Sequence, residues 1–377
     1  MLFRYSPDSK GRLVKKAVLY TQSEHCIKQS HLDPDALRII RQLRSYGYEA
    51  YIVGGAVRDL LLGHNPNDFD ITTNAKPSKI KKIFKNSRII GRRFRLAHIF
   101  YGKKVFEVST FRSLVDGSVG NSFGCLEEDV QRRDFTINAL YYDPVKGHII
   151  DYVNGFEDIL AKKIVPVIPL DRIFIEDPVR MLRAIKYAAI TGFRLPTKIK
   201  RKITHSAHLL SPISPSRLTE EMLKIINSSC AYEIIKKCLD TDLYMYLQPT
   251  ATSLMAEKRA FEKKYMQNIK ELDAFTITQP EARLGKKLVY LIYDFVAGMT
   301  DWDKEIEKHS PTGELYKKTW KQVRNFVLPM NPQRTELEHA ILITLKKLGV
   351  SIKIPKETSR RRSSRSKNNG QRTKKPK

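Results

Sequence analysis

The chain has 377 residues, too many for one small module, and at 41% hydrophobic and 9% aromatic it carries enough apolar side chains for packed cores, which excludes global disorder. Its 68 Lys and Arg against 40 Asp and Glu give a net charge of +28, which favours a polyanionic partner, nucleic acid before an anionic membrane surface. The four cysteines, Cys26, Cys125, Cys230 and Cys238, form no CxxC pair and no His cluster has zinc spacing, so free thiols in a reducing cytoplasm are expected.

Residues 1–30 are polar and mixed and read as an extended or weakly ordered extension that lacks the apolar stretch of a secretory signal. Asp33 as a cap, Pro34 in a first turn and Gly47 as a stop predict a helix over Pro34–Tyr46. Ala50–Val53 reads as a buried strand, followed by Gly54-Gly55 and a short helix at Ala56–Leu62. Period-two alternation predicts a strand over Asp68–Thr72; a helix at Pro77–Lys85 and strands near Ala97–Tyr101 and Val105–Phe111 follow. Asp116–Gly124 is a loop candidate, and 135–153 alternates again around a turn at Asp143-Pro144.

From Asp177 the pattern is helical, with candidates at 178–191, 216–227, 231–238, 256–272, 281–296 and 335–348. The apolar stretch Leu288–Met299 is too short, and interrupted by Asp294, to span a bilayer. An α+β chain is expected: a head with a small mixed β-sheet over 31–165, a helical neck over 166–230, a helical body over 231–350 and a basic, disordered tail over 351–377. That tail holds eleven Lys and Arg against Glu357 alone, including Arg361 and Arg362, and suits RNA binding.

Nucleotidyl transfer needs acidic ligands for two metal ions about 4 Å apart. Asp68 and Asp70, two apart on a strand, project to one side while Phe69 and Ile71 face the core. Three other Asp-x-Asp triplets (Asp33/Asp35, Asp240/Asp242 and Asp301/Asp303) lie beside helix signals or in polar stretches and read as solvated caps. Context sets Asp68/Asp70 apart: a Gly54-Gly55 turn lets the backbone approach a phosphate, and Arg58 adds a cation one turn later. For a third carboxylate, Glu107 faces away from Phe106 and Val108, and Asp134 follows Arg132-Arg133; a strand-start salt bridge is the structural account of Asp134. The Arg132/Arg133 pair suits oxyanion contact. In EDPVRMLRA, Asp177, Arg180 and Arg183 share a helix face by their spacing of three, either as ion pairs on a capped helix or as a reader of a base edge.

YIVGGAVRDLLLG, NDFDITTNA, RRDFTINALYYD and EDPVRMLRA, in this order over about residues 50–190, resemble the class II nucleotidyltransferases, the bacterial poly(A) polymerases and CCA-adding tRNA enzymes. The resemblance implies that Asp68 and Asp70 bind two catalytic Mg2+ ions, with Mn2+ as a substitute, and that Asp134 is a further active-site acid. It implies that Gly54, Gly55, Arg58, Arg132 and Arg133 take the triphosphate of ATP and that Asp177 and Arg180 read the base, with Arg183 nearby. IIGRRFRLAHI, the stretch His25–Gly55 and the basic tail resemble the poly(A) polymerase branch, and Arg92, Arg93 and Arg95 become RNA-contact candidates. A template-independent adenylyltransferase acting on RNA 3′ ends is the expected activity. A CCA- or A-adding enzyme is the alternative, and a non-catalytic RNA-binding protein on a transferase-like fold is the alternative of another class. Protein partners of RNA-degradation or RNA-chaperone type would suit such an enzyme, and the sequence names none.

Overall fold

A computed structural model of the chain describes residues 2–7, 10–91, 95–115, 122–307 and 312–350. Arg92, Arg93, Arg361, Arg362, the basic tail and most of the 116–124 loop lie outside the described residues. The first 165 residues alternate short strands with short helices. Asp33 caps α1 (Pro34–Ser45) by accepting from the N–H of Asp35 at 2.8 Å, and the helix buries Leu37, Ile39, Ile40 and Leu43. β3 (Ala50–Val53) runs into α2 (Gly55–Leu61), and β4 (Asp70–Thr73) precedes α3 (Pro77–Ile83). β5 (Ser87–Ile90), β6 (Leu96–Tyr101) and β7 (Lys104–Thr110) form a meander, then α4 (Leu126–Gln131), β8 (Tyr141–Asp143), β9 (His148–Asp151) and α5 (Gly155–Leu160) follow.

The N-terminal residues expected to be weakly ordered instead form β1 (Leu2–Pro7) and β2 (Leu13–Tyr20), a hairpin that pairs antiparallel with β9. The described sheet therefore has nine strands in the order β1-β2-β9-β8-β3-β4-β7-β6-β5. It is mixed: β4 and β7 pair in parallel, aligning Ile71 with Val108, while the neighbouring pairs are antiparallel. That one parallel pair puts the start of β4 beside the middle of β7. The main core lies on one face, where Ile40, Ile52, Ile71 and Val108 are fully buried. On the other face Tyr51, Phe111, Val130 and Tyr141 form a second cluster.

Beyond residue 170 the described chain is helical. α6 (Ile173–Glu176), α7 (Val179–Thr191), α8 (Thr197–Ser206), α9 (Pro215–Ile226) and α10 (Ala231–Leu239) pack in sequence, and longer helices at Arg259–Thr278, Leu284–Ala297 and Arg334–Lys347 complete the body. The main core runs without a break from the head sheet into these helices through Phe135, Met181, Ile185 and Met222. Among the described residues no helix is long and apolar enough to cross a membrane. The four cysteines are free thiols.

Candidate active site

At the end of β3 the backbone turns at Gly54, whose φ of +76° is a conformation that side chains disfavour. The turn leaves room for cations: a Cβ at Gly54 would stand 3.7 Å from Arg133 Nη1, and one at Gly55 would stand 3.5 Å from Arg58 Nη2. Arg58, buried on α2, is held from three sides. Its Nε donates to Asp59 at 2.8 Å, its Nη1 donates to Asn138 Oδ1 at 2.8 Å, and the Tyr187 ring of α7 lies 5.4 Å away. Arg133 donates from Nε to the Tyr141 hydroxyl at 2.8 Å, from Nη2 to Asp129 at 3.0 Å and from Nη1 to the Asn138 carbonyl at 3.4 Å. Burial works against its charge, but Tyr141 and Asp129 raise its pKa above the usual guanidinium value. With only seven residues in α2, these two guanidiniums, more than the helix dipole, give the turn its positive charge.

The structure separates the arginine pair expected to act together. Arg133 faces the Gly54 turn, whereas buried Arg132 donates from Nη1 to the Ser113 carbonyl at 2.9 Å and ties down the chain after β7. Adjacent residues at the end of a helix point about 100° apart, so both could not reach one turn.

Asp70 opens β4, and Asp68 lies just before the strand rather than on it. Both are open to solvent, yet protein crowds Asp70 closely. Desolvation, then the negative charge of Glu107, push its carboxyl up to about 6; Arg133 opposes this and Asp68 adds to it. The parallel register of β4 and β7 brings Glu107 there, and its own pKa is raised by desolvation and by Asp68, against Arg112 and Lys224. Of the two third-acid candidates, the structure thus sets Glu107 beside the pair. Buried Asp134 belongs to another group: its Oδ2 is 3.5 Å from Arg183 Nη1, and its charge acts on Arg180 and Tyr187 of the neck. The adjacent Phe135 packs edge-on against Tyr187 of α7 at 6.0 Å, which carries Asp134 toward the neck.

Arg180 and Arg183 lie on α7, and Asp177 stands ahead of it at the end of α6. Asp177 Oδ1 accepts from the Val179 N–H at 3.2 Å, and both of its oxygens accept from Arg217 Nη2 of α9 at 2.9 Å. Arg180 donates to the Ile173 carbonyl at 3.3 Å and sits 3.6 Å from Glu176; burial lowers its pKa, against Asp177, Asp134 and Glu176. Arg183 bridges Asp134 and, at 3.5 Å, buried Glu221, which also accepts from Lys186 at 3.1 Å. Arg95 is exposed just before β6. Sequence reading missed Asn138, Tyr141, Asp129, Arg217 and Glu221; Arg217 and Glu221 take their places through contacts across elements that no local spacing marks, whereas Asp129 stands four residues before Arg133, a spacing that could have found it, and alternation along β7 did point to Glu107.

The acids and the glycine turn lie where head meets neck: the charge of Lys224 on α9 acts on Glu107, and the Tyr187 ring of α7 lies 5.4 Å from Arg58. Oxygen donors carrying mutually unfavourable negative charge suit a hard divalent cation. Among the described residues no three His, Cys, Asp or Glu side chains converge to enclose an ion, so ligands from a bound nucleotide would have to complete such a site.

Residues 50–165 match the model of the poly A polymerase head domain, and residues 192–255 match a probable RNA- and SrmB-binding region of polymerase A. Poly(A) polymerase I of Escherichia coli is 42% identical over 252 residues, 63% of this chain and 54% of that protein. A CCA-adding enzyme of Geobacillus kaustophilus is 38% identical over 233 residues, 60% of this chain and 57% of that protein. Among solved structures, the Bacillus stearothermophilus CCA-adding enzyme in complex with CTP superposes with a TM-score of 0.58 at 28% identity, covering 84% of this chain and 79% of that one. The chain spans about half the length of the curated relatives it matches.

Proposed function

The chain belongs, through residues 50–165 and 192–255, to the family of bacterial poly(A) polymerases and CCA-adding tRNA nucleotidyltransferases, and from that premise we propose that it is a template-independent adenylyltransferase adding AMP from ATP to RNA 3′ ends. The observation that carries the proposal is a glycine turn flanked by Arg58 and Arg133 together with Asp70, on whose carboxyl the charges of Glu107, Arg133 and Asp68 act.

Two divalent ions, Mg2+ or Mn2+, would be held by Asp68 and Asp70 with Glu107 beside them, where they neutralise the triphosphate and acidify the attacking hydroxyl. The Gly54 backbone, Arg58 and Arg133 bind the β- and γ-phosphates. Asn138 fixes both guanidiniums, so they are in place before the nucleotide arrives. Asp177 and Arg180 present an acceptor and a donor to the base edge, and Arg217 and Glu176 hold them still. Asp134 lies at the same head–neck junction. The RNA 3′-oxygen forms a bond to the α-phosphorus, the bond to the bridging oxygen breaks, and pyrophosphate leaves with the electron pair. Positioning and charge carry the step without a covalent intermediate. The basic tail and Arg95, with Arg92 and Arg93, would track the RNA backbone in the cytoplasm.

Poly(A) synthesis is preferred to CCA addition because the E. coli poly(A) polymerase is the more similar relative; the fold shared with a CTP-binding CCA-adding enzyme favours the second reading. Primer extension with each nucleotide alone decides between them. The proposal expects long tails from ATP on an oligo(A) primer. Incorporation of CTP, or extension confined to a tRNA lacking its end, overturns it.

A further inference from the structure

One cavity lies away from the acids. It has a volume of about 760 Å3 and lies under the β1–β2 hairpin, against the start of β3 and the β8–β9 turn. A second cavity of about 410 Å3 shares Arg4, Tyr5 and Glu49 with it and runs on toward Cys125 and Glu127 at the start of α4. None of the acids or arginines assigned to catalysis lines either one. Eight of the thirteen residues lining the first cavity precede residue 50, where the head-domain match begins.

Two properties of this groove restrict its occupant. Its walls carry aromatic rings: Phe3 and Tyr5, 42% and 55% exposed on β1, half-buried Tyr48 and buried Tyr51. Lys15 Nζ lies 4.0 Å over the Phe3 ring. Arg4 lies over the sheet, where its charge acts on both Tyr51 and Tyr152, and Lys146 stands at the far rim. Neither Arg4 nor Lys146 has an acidic partner among the described residues, whereas Asp143 is paired with Arg44 at 2.9 Å and Glu127 with Lys16 at 3.0 Å. Glu49, the remaining acid, accepts from the Tyr51 hydroxyl at 3.4 Å. Part-exposed Phe3 and Tyr5 on one wall, beside the cations Arg4 and Lys146, match a strand whose bases stack and whose backbone is anionic. A peptide or a bilayer would not call for both features.

We propose that this groove binds single-stranded RNA, a segment upstream of the 3′ end that is being extended at the acids. β1 lies five places from β4 in the sheet, roughly 24 Å at about 4.8 Å per strand. RNA held there lies well back from the reacting nucleotide and would keep the substrate tethered between additions. The proposal rests on the reading that the chain acts on RNA, but it is tested by binding and not by adenylate transfer.

The test uses the full chain and two labelled oligo(A) strands, one of about 20 nucleotides and one of about four, which the active site alone can hold. Tyr5→Ala and, separately, Arg4→Glu are expected to weaken binding of the long strand roughly tenfold or more and to leave the short strand unaffected. Arg4→Glu should also reduce the salt slope by about one. Equal losses for both strands, or no loss for the long strand, overturn the proposal. In wild-type protein a photocrosslinkable 4-thiouridine strand should mark peptides containing residues 3–5 and 48–51, a readout that survives even if a variant misfolds. Cross-links confined to other peptides, as expected if the groove instead receives a protein or a second copy of the chain, overturn it. ATP incorporation by the same wild-type sample is scored separately, so failure of the adenylyl-transfer reading is distinguishable from failure of the groove.

Discussion

A carboxyl pushed up to about 6 stands at Asp70 because protein crowds it and Glu107 adds like charge. The folded chain therefore favours its protonated form. Stability from this group is fully present below the unfolded value of 3.8 and is lost as pH rises through about 6. Without metal, Asp70→Asn should be at least as thermally stable as the parent at about pH 7.5, and the difference should narrow toward about pH 5 and close below 3.8. Mg2+ should raise the Tm of the parent and not of the variant, and its binding should weaken below about pH 6 as protons compete. Melting curves with and without Mg2+ at the two pH values check all three statements. The arginine pair gives a second contrast. Arg132→Ala should cost about 1–3 kcal/mol in urea melts by leaving the buried Ser113 carbonyl without its donor, with KM for ATP unchanged. Arg133→Lys should raise KM for ATP, because a point charge cannot span Tyr141, Asp129 and a phosphate together.

At the level of elements, the helix caps and glycine turns were the most legible parts of the sequence. Asp33, Pro34 and Gly47 bounded α1 to within a residue, and β3 was placed at its observed limits. Asp33→Ala should cost about 1 kcal/mol in thermal or urea melts. Gly155→Ala should cost about 1–3 kcal/mol in the same assay, since a Cβ there would collide with the Thr136 carbonyl where α5 meets the turn carrying Asn138. The hairpin β1–β2 and strand β5 escaped because their alternation is broken. Leu2, Phe3, Tyr5, Leu13 and Val14 are all substantially exposed, so the usual in–out contrast is missing. Asp68 fell outside its expected strand because β4 begins only at Asp70, so pleat geometry does not set the direction of the Asp68 side chain. Tertiary partners such as Arg217 and Glu221 have no local signal, because only the packing of α9 on α7 gives them a role.

Across the whole molecule, one continuous core joins head and neck, and a polar chain runs beside it from Asp134 through Arg183 and Glu221 to Lys186. Glu221→Ala would leave Lys186 buried without its carboxylate and should cost about 3 kcal/mol or more in urea melts. On the proposed function, the net charge of +28 should make RNA affinity fall steeply with added salt, and binding of ATP should fall less. The most direct test of the account measures AMP incorporation and pyrophosphate release from ATP, Mg2+ and an RNA primer by the wild-type chain and by the Asp68→Asn/Asp70→Asn variant. The account predicts that the wild type extends the primer, while the variant stays folded, retains RNA binding and loses activity by far more than the roughly 10–100-fold that a supporting residue costs. Primer extension by the variant at the wild-type rate would contradict it.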